Sequence, residues 1–280
     1  MEFRILGPVQ IRVADRGFPV GEPRRQAVLA ALLIDAGRTV SVDVLVDRVW
    51  GEAPPRQARR SLHAHIAKIR RTLEQASGVS HPLVRDAGGY RLAIDPEQVD
   101  LLRFRAALRG DRTAAGLREA LGLWRGEPLA GVSGSWAERI RRALRDEHVD
   151  AVVAWAQAEI RIGNAAGTIS PLTDLANEHP LLETVAATLM RALYAAGRPS
   201  DALGRYDRIR QTLRDELGAD PGSELRAVHQ GVLRHEVPVT TARSVPAQLP
   251  ADVAGFTGRT RELAELDRHL AEAATAPVTL

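Results

Sequence analysis

The chain is 280 residues long with 38 Lys+Arg against 35 Asp+Glu, a length that allows two domains with a core each. It has no cysteine, which excludes disulfides, thiolate catalysis and Cys-type zinc sites. The net charge of +3 is uneven: residues 1–95 hold 15 basic and 10 acidic side chains, the remainder 23 and 25, so a basic nucleic-acid module joined to a near-neutral partner-binding part is expected.

The start, MEFRILGPVQIRV, lacks the charged beginning and continuous apolar run of a signal peptide, and no stretch reaches the length of a membrane span. A cytoplasmic, nucleoid-associated protein with no membrane partner is expected. Phe3, Ile5, Val9, Ile11 and Val13 alternate with polar residues around Gly7-Pro8, which predicts one or two short strands. Gly17 to Pro23 is turn-rich. Arg24 to Ala36 repeats Val28, Leu29, Leu32 and Leu33 at helical spacing, and Gly37 closes that helix. A second helix begins at a Ser41 or Asp43 cap, buries Val42, Leu45, Val46 and Val49, and ends at Trp50-Gly51 before Pro54-Pro55.

The third helix, within Pro54 to Glu74, has two faces that need different partners. Ala58, Leu62, Ile66, Ile69 and Leu73 fall on one side of a helix and predict packing onto a small core. Arg56, Arg60, Lys68 and Arg71 lie roughly opposite, Arg59 and Arg70 flank the stripe, and no acid occurs between Glu52 and Glu74. Small Ala64 and Ala67 sit among the cations. Such a helix can enter a DNA major groove without steric conflict. The competing reading is a solvated face in a chain that uses arginine throughout, Lys68 being its only lysine. Leu83 to Ile94 then predicts a hairpin around Asp86-Ala87-Gly88-Gly89, with Arg85 on it. Strands, three helices and a hairpin are the order of a winged helix, whose third helix takes the major groove and whose wing reaches the backbone or minor groove.

The run R-S-L-H-A-H-I-A-K-I-R-R-T-L, with V-R-D-A-G-G-Y-R downstream, resembles the OmpR-type winged helix of bacterial regulators across residues 1–95. No phosphoacceptor receiver domain precedes it, so switching by aspartyl phosphate is not expected. A DNA-binding domain at the N-terminus instead resembles the SARP-type regulators, the activators of actinomycete antibiotic pathways. Residues 99–236 carry almost only helical periodicity. A shift of 34 residues superposes Trp155 on Leu189, Ile160 on Tyr194, Gly163 on Gly197, Leu172 on Tyr206 and Leu175 on Ile209, the period of tetratricopeptide helix pairs. The run ELGADPGSELRAVHQGVL, Glu216 to Leu233, resembles the end of the bacterial transcriptional activator domain of the same family.

The expected fold is therefore mainly α with a small α+β part: a winged helix-turn-helix over 1–97, then an all-α tetratricopeptide-like domain over 98–236. Residues 237–254 read as a linker. Gly255-Phe256-Thr257-Gly258-Arg259 resembles the entry to a signal-transduction ATPase domain, and the chain stops at Leu280 inside what would be its first strand. Without a G-x-x-x-x-G-K-[ST] loop, residues 255–280 read as a truncated and poorly ordered start of that domain. No enzyme activity and no cofactor are expected in this chain, and ATP or ADP only for a full-length protein.

Gly131 to Ser135 places a serine between glycines without a preceding strand, and reads as a loop between helices rather than a nucleophile elbow. His63 and His65 are two apart and cannot share a metal from one helix. The residues expected at DNA are Arg60, His63, Ala64, Ala67 and Lys68 toward the bases, with Arg56, Arg59, Arg70, Arg71 and Arg85 in support. Two readings of Trp50 are open, core packing and, as the resemblance implies, a phosphate contact through its indole N–H. Tyr90 is likewise either a phosphate contact or the packing of the wing onto the third helix. The resemblance implies a sequence-specific activator that binds tandem direct repeats near the −35 region as a head-to-tail dimer. It would recruit RNA polymerase through the sigma factor and core subunits. A tetratricopeptide-type scaffold and a nucleotide-regulated switch are the competing classes. Residues 1–95 alone are expected to retain sequence preference with reduced affinity, and residues 1–236 to activate transcription.

Overall fold

The N-terminal segment forms a three-stranded antiparallel meander: β1 (Glu2–Arg4), β2 (Gln10–Val13) and β3 (Arg16–Phe18). The computed structural model describes residues 1–14, 16–77, 82–236 and Ala264. The 237–254 linker, and the 255–280 segment except Ala264, lie outside the described residues. The third strand was not expected, because Arg16-Gly17-Phe18 has no strand pattern of its own. Pairing makes it, with Val13 opposite Arg16 and Ile11 opposite Phe18.

Helices α1 (Pro23–Ile34), α2 (Val42–Trp50) and α3 (Ala58–Ser77) follow. Ser41 is the α2 cap, its hydroxyl accepting from the Val44 N–H at 3.2 Å, which leaves Asp43 free for another use. The α3 stripe is buried as its spacing predicts: Ala58, Leu62, Ile66, Ile69 and Leu73 are at most 5% exposed. Each of the four large side chains contributes about 1.5–3 kcal/mol of burial.

The wing is a three-stranded sheet of order β4-β6-β5, made by β4 (Thr39–Ser41), β5 (Leu83–Asp86) and β6 (Gly89–Leu92). Sequence reasoning found the two arms and missed β4, three residues between helices that become a strand only by pairing with β6.

The helical part comprises α4 (Asp100–Arg109), α5 (Ala114–Leu121), α6 (Ser135–Arg161), α7 (Ile169–Glu178), α8 (Glu183–Ala195), α9 (Pro199–Leu217) and α10 (Ser223–Arg234). Ser135 enters α6 from a loop, as expected. The 34-residue echo is physical. Gly163 and Gly197 both take positive φ, 83° and 77°, just after α6 and α8, where a Cβ would be strained. Leu172 and Leu175 on α7, and Tyr206 and Ile209 on α9, are all buried.

The seam at 97/98 does not separate two cores. One cluster of buried residues joins Phe3, Ile5 and Leu6 with Leu29, Leu62 and Leu73, and also with Leu101, Phe104, Leu129, Trp136 and Leu144. A second runs from Val149 and Val152 through α8 to Val232. The join at the first core is polar as well. Asp100 is 0% exposed, and its carboxylate accepts from the N–H of Ile5 at 2.9 Å, of Leu6 at 3.0 Å and of Leu101 at 2.8 Å, and pairs with Arg125 at 2.5 Å. The Arg125 and Leu129 amides donate in turn to the carbonyls of Leu6 and Ile5, at 2.8 and 3.0 Å. Burial pushes the Asp100 carboxyl above the usual carboxylate range, while the amides of Ile5 and Leu6 and the Arg125 guanidinium pull it down.

Residues 1–95 alone lack Asp100, Arg125 and Leu129, the hydrogen-bond partners of Ile5 and Leu6, so that fragment should melt less cooperatively than 1–236. Asp100→Ala leaves three buried N–H groups without this acceptor and Arg125 without its carboxylate partner, and should cost about 3–5 kcal/mol in urea denaturation. A loss below about 1 kcal/mol would mean that water replaces the carboxylate.

Candidate nucleic-acid interface

Helix α3 turns its uncovered side to solvent. Arg56, just before it, and Arg59, Arg60, His63, Ala64, Ala67, Lys68 and Arg71 are all exposed, alternating with the buried stripe. Arg85 is exposed on β5 of the wing. Arg56, Arg60, Arg71 and Arg85 have no ion-pair or hydrogen-bond partner among the described residues, whereas other cations are engaged. Arg59 pairs with Asp43 at 2.6 Å, the carboxylate that capping left free, and Lys68 stands 3.9 Å from Glu22. Both pairs are solvent-exposed and so worth at most about 1 kcal/mol, weak enough to be exchanged for phosphate.

Arg70 is half-buried and differs in kind. Its Nε donates to the Leu83 carbonyl at 3.2 Å, and its guanidinium lies 5.8 Å from the centre of the Tyr90 ring. It fastens α3 to the wing. Tyr90, expected at DNA, is only 4% exposed, because its place on β6 opposite Val40 and Arg85 turns the ring toward α3. Its hydroxyl and His63 Nδ1 share a hydrogen bond of 2.6 Å. Of the two open readings of Tyr90, the structure supports packing of the wing. When the hydroxyl donates to Nδ1, His63 carries its proton on Nε2, a donor pointing away from Tyr90.

Trp50 is half-buried at the end of α2, its ring 6.3 Å from that of His65. It lines a depression with Arg24, Arg48 and the loop Ser133 to Ser135. It is thus not a member of the α3 cationic row, though its edge is reachable from solvent. Burial lowers the His65 pKa below its ordinary value, which favours the neutral ring on the α3 flank.

Two features that sequence reasoning missed hold the wing in place. Asp86 accepts from the Thr39 hydroxyl at 2.9 Å and the Ala87 N–H at 2.8 Å and pairs with Arg91 at 3.4 Å. The Ala87 N–H, then Thr39 and Arg91, keep its carboxyl below the usual range. Gly89 lies so close to β4 that a Cβ there would be 2.1 Å from the Val40 carbonyl oxygen. A G-G pair in a hairpin signals a turn, but the second glycine serves a neighbouring strand that sequence pattern did not reveal.

The comparisons with known proteins agree with this geometry. Residues 20–92 match the family described as "Transcriptional regulatory protein, C terminal", and residues 99–233 the "Bacterial transcriptional activator domain". Transcriptional regulatory protein EmbR of Mycobacterium tuberculosis (strain ATCC 25618 / H37Rv) is 37% identical over 93% of this chain and 70% of its own length. Regulatory protein DnrI of Streptomyces peucetius is 33% identical over 84% of this chain and 92% of its own length. The chain belongs to the SARP family of transcriptional regulators. Regulatory protein AfsR of Streptomyces griseus is 35% identical over 98% of this SARP chain, which spans only 30% of AfsR. The solved structure "Mycobacterium tuberculosis EmbR in complex with low affinity phosphopeptide" superposes with a TM-score of 0.78, at 37% identity, over 86% of this SARP chain and 66% of that one. The SARP chain is thus a DNA-binding regulator with an OmpR-type winged helix followed by a helical activator domain. Among its described residues, no helix is long and apolar enough to cross a membrane.

Tyr90→Phe keeps the ring and deletes only the hydroxyl. It should cost about 1 kcal/mol of stability and weaken DNA binding modestly by releasing His63. Gly89→Ala should cost more, since backbone must move to admit the methyl group. Urea denaturation of the pair checks the order, and a Gly89→Ala variant as stable as its parent would refute the close approach.

Proposed function

We propose that this regulator activates transcription by binding tandem direct repeats near the −35 region of promoters, those of secondary-metabolite genes among them, and recruiting RNA polymerase through its sigma factor. The observation that carries this reading is the exposed row of Arg60, His63, Ala64, Ala67, Lys68 and Arg71 on α3, preceded by Arg56 and continued by Arg85 on the wing, with small alanines between the longer side chains. A 20-residue helix is about 30 Å long and fits lengthwise in the major groove, about 12 Å wide. Arg60 and Lys68 are assigned to guanine edges, Ala64 and Ala67 to thymine methyls, and His63 Nε2 to an acceptor beside them. Arg56, Arg59 and Arg71 are assigned to phosphates, and Arg85 to the minor groove or its rim. Arg70 and Tyr90 act from behind, holding wing and helix in register. Trp50 is assigned a phosphate contact through its exposed edge.

Direct repeats call for protomers in the same orientation, about 10–11 bp apart, so their contact is heterologous rather than two-fold. The helical part, with stacked helix pairs, is assigned to polymerase, a role suited to the concave surfaces that such repeats build.

Arg60→Ala and Lys68→Ala should each cost about 1–3 kcal/mol on the cognate site and relax base preference at one position. Mobility shifts on cognate and random DNA with an unchanged ratio would reassign both to phosphates. With Arg56, Arg59 and Arg71 on phosphates and Arg85 at the groove rim, about four charges displace counterions, and log K against log salt should slope about −3.6 per protomer. A slope near −1 would remove the electrostatic footprint. In transcription with purified polymerase holoenzyme, 1–236 should activate from a direct-repeat promoter. DNA binding without activation would leave the winged helix as reader and withdraw polymerase recruitment from the helical part.

A further inference from the structure

Arg205 on α9 is 8% exposed and makes no hydrogen bond or ion pair among the described residues, its Nη2 being buried there without a partner. A buried guanidinium without an acceptor is costly, and the charge acting on it makes matters worse. Arg208, three residues on and on the same face of α9, repels it. Burial first, then Arg208, lowers the Arg205 pKa from its ordinary value. Other buried charges of the helical part are satisfied: Glu159 is held by Trp155 at 2.9 Å, Asn164 at 2.7 Å and Arg118, and Arg141 by Glu138 and backbone carbonyls.

Arg205 lines a depression between α7, α8 and α9 whose volume is about 160 Å³. Its other walls are mixed. Ala176, Leu182, Ala186 and Ile209 are apolar, while Arg208 and Thr212 stand at the polar side. The Thr212 hydroxyl donates to the Arg208 carbonyl at 3.0 Å, so its proton is already engaged within the helix. A cavity of about 150 Å³ holds a benzene-sized molecule. One buried guanidinium balances one negative charge and binds a planar two-oxygen anion through its fork.

We propose that this depression is a binding site for a small organic acid, whose carboxylate is received by Arg205 while its apolar body rests on Leu182, Ala186 and Ile209. Arg208 stands nearer solvent, attracting the anion. The site lies on the activator domain, away from the α3 cations, so an acid bound there does not occupy the DNA surface.

Benzoate serves as the probe, titrated against the 280-residue chain at constant ionic strength with chloride as control. Saturable one-to-one binding by calorimetry is expected, with a melting temperature that rises with benzoate as mass action requires. Arg205→Met should weaken benzoate about tenfold or more, the loss expected for a charged hydrogen-bonded contact. Without ligand it should melt no lower than the parent, because no hydrogen bond or ion pair to a described residue is removed and Met keeps an apolar stem in place, and its DNA affinity should match the parent's. Arg208→Met should weaken benzoate less. The proposal is overturned if the parent shows no saturable response, if Arg205→Met binds benzoate equally, or if inorganic phosphate binds more tightly than benzoate. It is equally overturned if Arg205→Met melts well below the parent, since the guanidinium would then be satisfied within the fold.

Discussion

The Asp100 carboxylate is the constraint on which the arrangement of this molecule depends. It sits at the first residue of α4, fully buried, and gathers the N–H groups of Ile5 and Leu6 from one end of the sequence and the guanidinium of Arg125 from another. A charge taken from water is tolerated only where its neighbours supply hydrogen bonds, and here those neighbours lie 95 positions upstream and 25 downstream. Setting that one group therefore sets the N-terminal strand against the helical part. Phe3, Ile5 and Leu6 then close the same core that receives the apolar stripe of α3. The DNA-facing helix is oriented from beneath by a core to which both family domains contribute.

The upper surface follows the same economy of parts. Ser41 caps α2, so Asp43 is left to pair with Arg59 across to α3. Tyr90 fills the space between wing and helix, so its hydroxyl can orient His63 while Arg70 closes over its ring. Arg56, Arg60, Arg71 and Arg85 are exposed without a partner among the described residues, which is what a surface awaiting a polyanion requires.

Much of this was legible in the residues. The α3 stripe, its cationic reverse and the 34-residue echo rest on local periodicity, and periodicity is what a sequence displays directly. What escaped depends on pairing across distance. Thr39 to Ser41 has no strand pattern and becomes β4 only because β6 lies beside it, and Gly89 is needed only because β4 does. Asp100 reads as an ordinary acid in a first helical turn; nothing near it in sequence announces that it accepts from Ile5. Tyr90 was ambiguous for a related reason, since alternation along β6 does not say which face meets α3. The boundary at 97/98 follows a change of pattern, and the core ignores it.

Helix α6 shows how far the two parts share substance. Its 27 residues extend about 40 Å, with Trp136 and Leu144 in the first core and Val149 and Val152 in the second. The seam of the molecule thus lies inside a continuous helix, near Leu144 to Val152, rather than in a loop. A chimera that exchanged activator domains at residue 98 would strip the winged helix of Leu101, Phe104, Leu129 and Trp136 together. A crossover within α6 would keep most of each of these two cores on its own side, the helix backbone supplying the same rigid register to whichever halves are joined.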